Sequence, residues 1–165
     1  GEAAVELLLK VLISPNNSPM QCGLASWGIA FVGAEAPYSL RKAAKSEHSE
    51  IRAAAIAALG DQIQSLDDTE AKDLLVKALN DSVGDVRAEA TTLLGKLYDP
   101  LWAKPLLTPR LCDDSPQVRK NAALSLMKLQ AFEAIEELRE RELKEENEDV
   151  LAILKLSIKQ LQKIK

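Results

Sequence analysis

The sequence predicts an all-α solenoid of about five helical hairpins, and three observations carry that prediction. A ten-residue segment recurs: "IRAAAIAALG" from Ile51, "VRAEATTLLG" from Val86, "VRKNAALSLM" from Val118, and "LASWGIAFVG" from Leu24 with alanine in place of arginine. Counting a looser copy from Val150, the starts lie 27, 35, 32 and 32 residues apart. That is the period of a helical repeat in which each unit buries its apolar face against its neighbours. Within the copies the positions four apart match in character. Leu24, Ile51, Val86 and Val118 are followed by the small Gly28, Ala55, Ala90 and Ala122, then by Val32, Leu59, Leu94 and Leu126. Such spacing marks one face of a helix. Alanine and leucine abound while aromatics make up 4% of the chain, a composition of packed helices rather than strands.

Each interval leaves room for an earlier helix, so the unit is a hairpin. "EAAVELLLKVLI" opens the chain and is apolar nearly all round; a helix of that kind expects cover on both sides. The expectation is therefore that the chain is a fragment of a longer array, or that it self-associates through this N-terminal helix. "APYSLRKAAK" is a short first helix. "DDTEAKDLLVKAL" starts with Asp67 or Asp68 as N-cap and sets Leu74, Leu75, Ala78 and Leu79 on one face. "PLWAKPLLTPRL" carries Pro105 and Pro109, each of which removes a hydrogen bond and bends a helix. "AFEAIEELRERELK" aligns Phe132, Ile135, Leu138 and Leu143 and pairs Glu137 with Arg141. The last segment sets Lys155, Lys159 and Lys163 opposite Leu154, Ile158 and Leu161. A polar free side is what caps a solenoid; a basic amphipathic helix lying on an anionic membrane is the weaker alternative. Gly33, Gly60 and Gly95 fall where second helices end and read as C-caps. One domain over 1–165 follows, with repeats near 1–33, 34–62, 67–98, 100–129 and 131–165.

A leucine-rich first helix, an acidic turn such as "ALNDSVGDVR" or "RLCDDSPQVR", and then VRxxAxxxLG together resemble a HEAT repeat. The likeness is to the short bacterial and archaeal kind that includes the phycobilisome, or bilin, lyases. It covers nearly the whole chain and is strongest from Glu47 to Leu129. It implies a right-handed α-α superhelix of the HEAT/armadillo type. It says little about function, because the family spans scaffolds, transport factors and lyase subunits. It also implies a ladder of ion pairs along the stack: Arg52 with Asp81, Arg87 with Asp113, and Arg119 with Glu145. A buried arginine needs such a carboxylate; the competing reading is that these arginines hold an anionic ligand.

Composition and motifs exclude several functions. The net charge is −4, without the basic excess that phosphate backbones require, so no nucleic acid partner is expected. No apolar run is long enough to span a bilayer. Cys22 and Cys112 lie outside any CxxC or CxxH pattern and read as reduced thiols of a cytoplasmic protein. The single histidine, His48, sits in the polar stretch "KSEHSE" and reads as a turn residue. No catalytic, metal or cofactor site emerges. In HEAT proteins the second helices line the concave face, and here the outward positions are small. The candidate partner-binding stripe is Ala30, Ala53, Ile56, Ala57, Ala88, Thr91, Thr92, Lys120 and Leu124. Close packing of inner helices accounts for small residues there equally well. The sequence thus predicts a non-catalytic scaffold that binds another protein. The alternative is an accessory subunit of a bilin lyase, though scarce aromatics and one histidine weigh against a tetrapyrrole pocket.

Overall fold

The structure, a computed structural model, describes residues 1–164; Lys165, where the last expected repeat ends, lies outside them. Every regular element among the described residues is a helix. In order they are α1 (Glu2–Leu12), α2 (Pro19–Val32), α3 (Pro37–Ala43), α4 (Ser49–Ala57), α5 (Gly60–Leu66), α6 (Thr69–Ala78), α7 (Gly84–Lys96), α8 (Pro100–Leu107), α9 (Pro116–Lys128), α10 (Ile135–Glu142) and α11 (Glu148–Ile164). Contacts divide the chain into two compact units, Gly1–Ala90 and Thr91–Lys165, with the division inside α7.

In the first unit α1 packs on α2 and α3, both of which pack on α4, and α4 and α5 pack on α6. Local chemistry starts these helices. Ser18 and Gln21 form a capping box before Pro19, with the Ser18 amide donating to Gln21 Oε1 at 2.7 Å and the Gln21 amide to Ser18 Oγ at 3.3 Å. Asp68 caps α6 by accepting from the Ala71 amide at 3.1 Å. The core is Ile29, Leu40, Ala55, Leu59, Leu75 and Leu79, all buried. In the second unit α8 packs on α9, and α9 and α10 on α11. Asp99 caps α8 and Pro116 opens α9. Leu107, Leu126, Leu138, Leu154 and Leu161 fill this core, each contributing about 1.5–3 kcal/mol by leaving water.

Four expectations about elements are corrected. In the α2 copy the buried positions are Ala25 and Ile29, while Leu24 is 63% exposed, so the register is shifted by one residue. The cause is composition: α2 is PMQCGLASWGIAFV, apolar on every side, and no polar stripe marks its outer face. Of the three glycines expected as C-caps, Gly33 stands at the C-cap of α2, in the right-handed region at φ −67° and ψ −28°, whereas Gly60 and Gly95 cap nothing. Among the described residues no glycine has positive φ, which falls instead on Asp67, Tyr98 and Gln130. Gly60 opens α5, a helix the repeat pattern does not contain. Gly95 lies inside α7, where a Cβ would stand 2.3 Å from Ser125 Oγ; it is small because another helix comes close. Pro105 remains within α8, and the α-helix gives way to a 3-10 turn at Thr108–Cys112, next to Pro109. Leu143 falls past the end of α10 and is 87% exposed, and Arg141 bonds Glu145 at 3.0 Å, not the Glu137 expected for it.

Candidate functional site

Two arrangements of functional side chains emerge, a charged seam and a pair of clefts. The seam begins with the arginine that follows the turn into each second helix. Arg52, Arg87 and Arg119 each donate through Nη1 to the carbonyls six and five residues earlier: Ser46 and Glu47, Asp81 and Ser82, and Asp113 and Asp114. The arginine thereby stitches its own turn, giving the carbonyls there a donor. Its remaining edge serves a carboxylate from later in the chain. Arg52 Nε and Nη2 reach the two oxygens of Asp81, both at 2.8 Å. Arg119 does the same to Glu145 at 2.8 and 2.7 Å.

These forks are the strong form of the arginine–carboxylate bond. Hydrogen bonds from Arg52 hold the Asp81 carboxyl below its usual range against the opposing effect of burial. Those from Arg119 bring Glu145 to about 2. Both guanidinium pKa values are raised in turn, first by the same bonds. Asp81 and Glu145 also accept from the Val83 and Asn147 amides at 2.9 and 3.0 Å, so each carboxylate orders its own turn. With their donors turned onto protein oxygens, Arg52 and Arg119 are poorly placed to hold an anionic ligand. Arg87 belongs to the first unit and Asp113 to the second; Asp113 accepts from the Ser115 amide at 2.9 Å.

The first cleft, about 380 Å³, lies in the first unit among the C-terminal end of α1, α2, α4 and the start of α7. Its floor is small: Gly23, Ser26, Ala53, Ala54 and Ala57. Its edge carries Ser49, Glu50, Asp85, Glu89 and the half-buried Cys22. Cys22 Sγ lies 4.0 Å from the Val11 carbonyl. The Glu50 carboxyl is held low by its own backbone amide and by Ser49. Of the expected stripe, Ala53 and Ala57 face this cleft. Ala30 is exposed on α2 outside it, and Thr92, Lys120 and Leu124 are half-buried in the second unit, where Asn121 donates to Thr92 Oγ1 at 2.9 Å. Ile56, Ala88 and Thr91 are packed away at 1%, 5% and 0% exposure and present no surface to a partner.

The acidic edge escaped the sequence reading, although a signal for it existed. Glu50 and Asp85 stand one place before the repeated segment, three residues ahead of Ala53 and Ala88, of which Ala53 faces the cleft and Ala88 is buried. That puts them one turn away on the same side of the helix. The second cleft, about 650 Å³, lies among α1, α3 and α4. Leu9, Ala43 and Ile51 give it an apolar floor, and Lys10, Lys42 and Lys45 line it with Glu6 and Glu47. Lys45 is paired with Glu70 at 2.9 Å. Among the described residues no group of three or more histidine, cysteine, aspartate or glutamate side chains could hold a metal ion, and no helix is long and apolar enough to cross a membrane.

Comparison with known proteins bears on both fold and function. The chain is 37% identical over 162 residues to the bilin biosynthesis protein MpeU of Synechococcus sp. (strain WH8020), across 98% of this chain and 54% of that protein. It thus spans about half the length of this curated relative. Among solved structures it resembles a chain from the complex of CpcE and CpcF of phycocyanin lyase from Nostoc sp. PCC7120, with a TM-score of 0.73 and 23% identity over 94% of this chain and 98% of that one. A designed armadillo repeat protein in complex with the peptide (KR)4 matches at a TM-score of 0.63 and 22% identity, over 96% and 82% of the two chains. These likenesses correct two expectations. The prediction of a non-catalytic scaffold, and with it of no enzymatic role, is overturned by the similarity to a bilin biosynthesis protein. The fold is the helical repeat of armadillo and HEAT proteins, and the model of HEAT repeats matches residues 5–95 and 73–159. The chain belongs to the HEAT-repeat family.

Proposed function

We propose that this chain is a subunit of a bilin lyase-type enzyme, acting with another protein to hold an open-chain tetrapyrrole and present it to its acceptor. The observation that carries the proposal is the 37% identity to a bilin biosynthesis protein over 98% of the chain. The geometry supports a division of labour between the clefts. A bilin is a flat apolar ligand with carboxylate arms, and the larger cleft offers an apolar floor under Lys10, Lys42 and Lys45. The smaller cleft has acids along its edge, which repel carboxylates and suit a polypeptide carrying lysine or arginine. Ala53 and Ala57 are then contacts for the acceptor or for a second subunit. A cytoplasmic setting agrees with two free thiols.

The test is titration of the purified chain with a bilin, followed by visible absorption, and then incubation of the loaded chain with a candidate acceptor. A red-shifted, saturable spectrum and passage of pigment to the acceptor are expected. A bilin spectrum unchanged by the chain, together with transfer that proceeds equally without it, would sink the proposal.

A further inference from the structure

We propose that two copies of this chain pair through α2, lying antiparallel across a two-fold axis. The starting point is a mismatch between this helix and its surroundings. A helix apolar on all sides is normally covered on all sides, and α2 has no charged residue along its length. One side is covered: Ala25 and Ile29 are buried, and Gly28 lies where an added Cβ would meet Leu8 Cδ1 at 3.1 Å. The opposite side is open, and it holds Met20, Leu24, Trp27 and Phe31, exposed by 76%, 63%, 67% and 74%. The Trp27 and Phe31 rings stack on one another with centroids 5.6 Å apart and planes at 18°. They are therefore ordered before any partner arrives, which lowers the entropic cost of docking.

The spacing of these four residues points to the occupant. They follow one another at intervals of four, three and four, the seam of a helix that meets another helix. The set is also its own complement. Laid antiparallel, Met20 faces Phe31 and Leu24 faces Trp27, because both pairs are centred between Ala25 and Ser26. Each aromatic thus meets a flexible or branched aliphatic in both halves of an isologous contact. Charge agrees, since a helix without charges brings no like charges together when it meets its own image. So does area. At about 150 Å² for each side chain, some seven-tenths of it exposed, the stripes of two copies bury about 800 Å², most of the roughly 1,000 Å² that a specific interface needs, and the flanking residues of the two helices add to it.

Sedimentation equilibrium from about 1 to 200 µM tests the pairing. The chain should be a dimer over most of that range, and Leu24→Glu should weaken it at least tenfold while circular dichroism stays unchanged. Leu101→Glu, at a residue 90% exposed elsewhere in the chain, should leave the dimer intact. A chain that is monomeric at every concentration overturns the proposal, as does a dimer that survives Leu24→Glu or is lost in Leu101→Glu. Orientation is read separately. With Cys22 and Cys112 replaced by serine, Met20→Cys combined with Phe31→Cys should form an intermolecular disulfide on mild oxidation. Failure to cross-link in a sample that is still dimeric overturns the antiparallel arrangement.

Discussion

Glu145 accepts from Arg119 and Arg141 with its side chain closed to solvent, and that geometry sets the acid limit of the second unit. Its carboxyl titrates at about 2 against an ordinary 4.5, a difference equivalent to about 3 kcal/mol. The folded pKa is the lower one. The stabilisation is therefore complete above the unfolded value and disappears as pH falls from about 4.5 towards 2. Urea melts between pH 7 and pH 3 should show stability falling steeply in that window. Glu145→Gln should cost about 3 kcal/mol at neutral pH and flatten the acid limb. An equally steep acid limb in the variant would mean that other carboxylates set it. Arginine after the turn is legible in the sequence because it recurs. Glu145 is named only by the ladder that the family resemblance implies, since it sits in a run of acids, "KEENED", among which spacing alone does not choose.

At the scale of the element, what is legible depends on contrast between faces. α9 and α11 carry polar residues on their outer sides, and their buried positions Val118, Ala122, Leu126, Leu154 and Ile158 follow directly from spacing. α2 has no such contrast, so its register is invisible until α1 and α4 are packed against it. Glycine misleads for a related reason: a small residue near a helix end serves equally as a cap or as room for a neighbour, and these two roles predict opposite mutational effects. Gly95→Ala brings a Cβ to within 2.9 Å of the Ser125 backbone as well as of its side chain. Overpacking of about 1–3 kcal/mol exceeds the gain in helix propensity of about 1 kcal/mol, so the net effect should be destabilising. Gln130 and Tyr98, at φ 53° and 52°, occupy the left-handed positions after α9 and α7. Gln130→Gly should raise stability by about 0.5–1 kcal/mol. Thermal melts of the two variants should move in opposite directions. A stabilised Gly95→Ala would show that the helices have room to part.

Over the whole molecule, net charge hides how charge is arranged. A balance of −4 lacks the basic excess that a phosphate backbone requires, yet it averages over two clefts of the first unit with opposite edges. The stripe of small residues looks neutral along the repeat because two of its three acids, Glu50 and Asp85, stand just before the segment that defines the repeat. The lysines of the other cleft come from α1, α3 and the turn after α3, which the repeat does not align. On the proposed reading, function lies in the part of the sequence that periodicity leaves out. If a bilin occupies the lysine-lined cleft, its carboxylates depend on Lys10 and Lys42, and charge at these exposed positions is screened by salt. Raising ionic strength from about 0.05 to 0.5 M should weaken bilin binding several-fold. Lys10→Glu with Lys42→Glu should weaken it about tenfold and abolish most of that salt dependence. Ala57→Glu, which closes the acid-edged cleft, should leave bilin affinity unchanged and impair transfer to the acceptor. Absorption titrations of the three proteins at two salt concentrations decide the matter. Affinity lost in Ala57→Glu and kept in the lysine variant would place the pigment in the smaller cleft and reverse the assignment of the two.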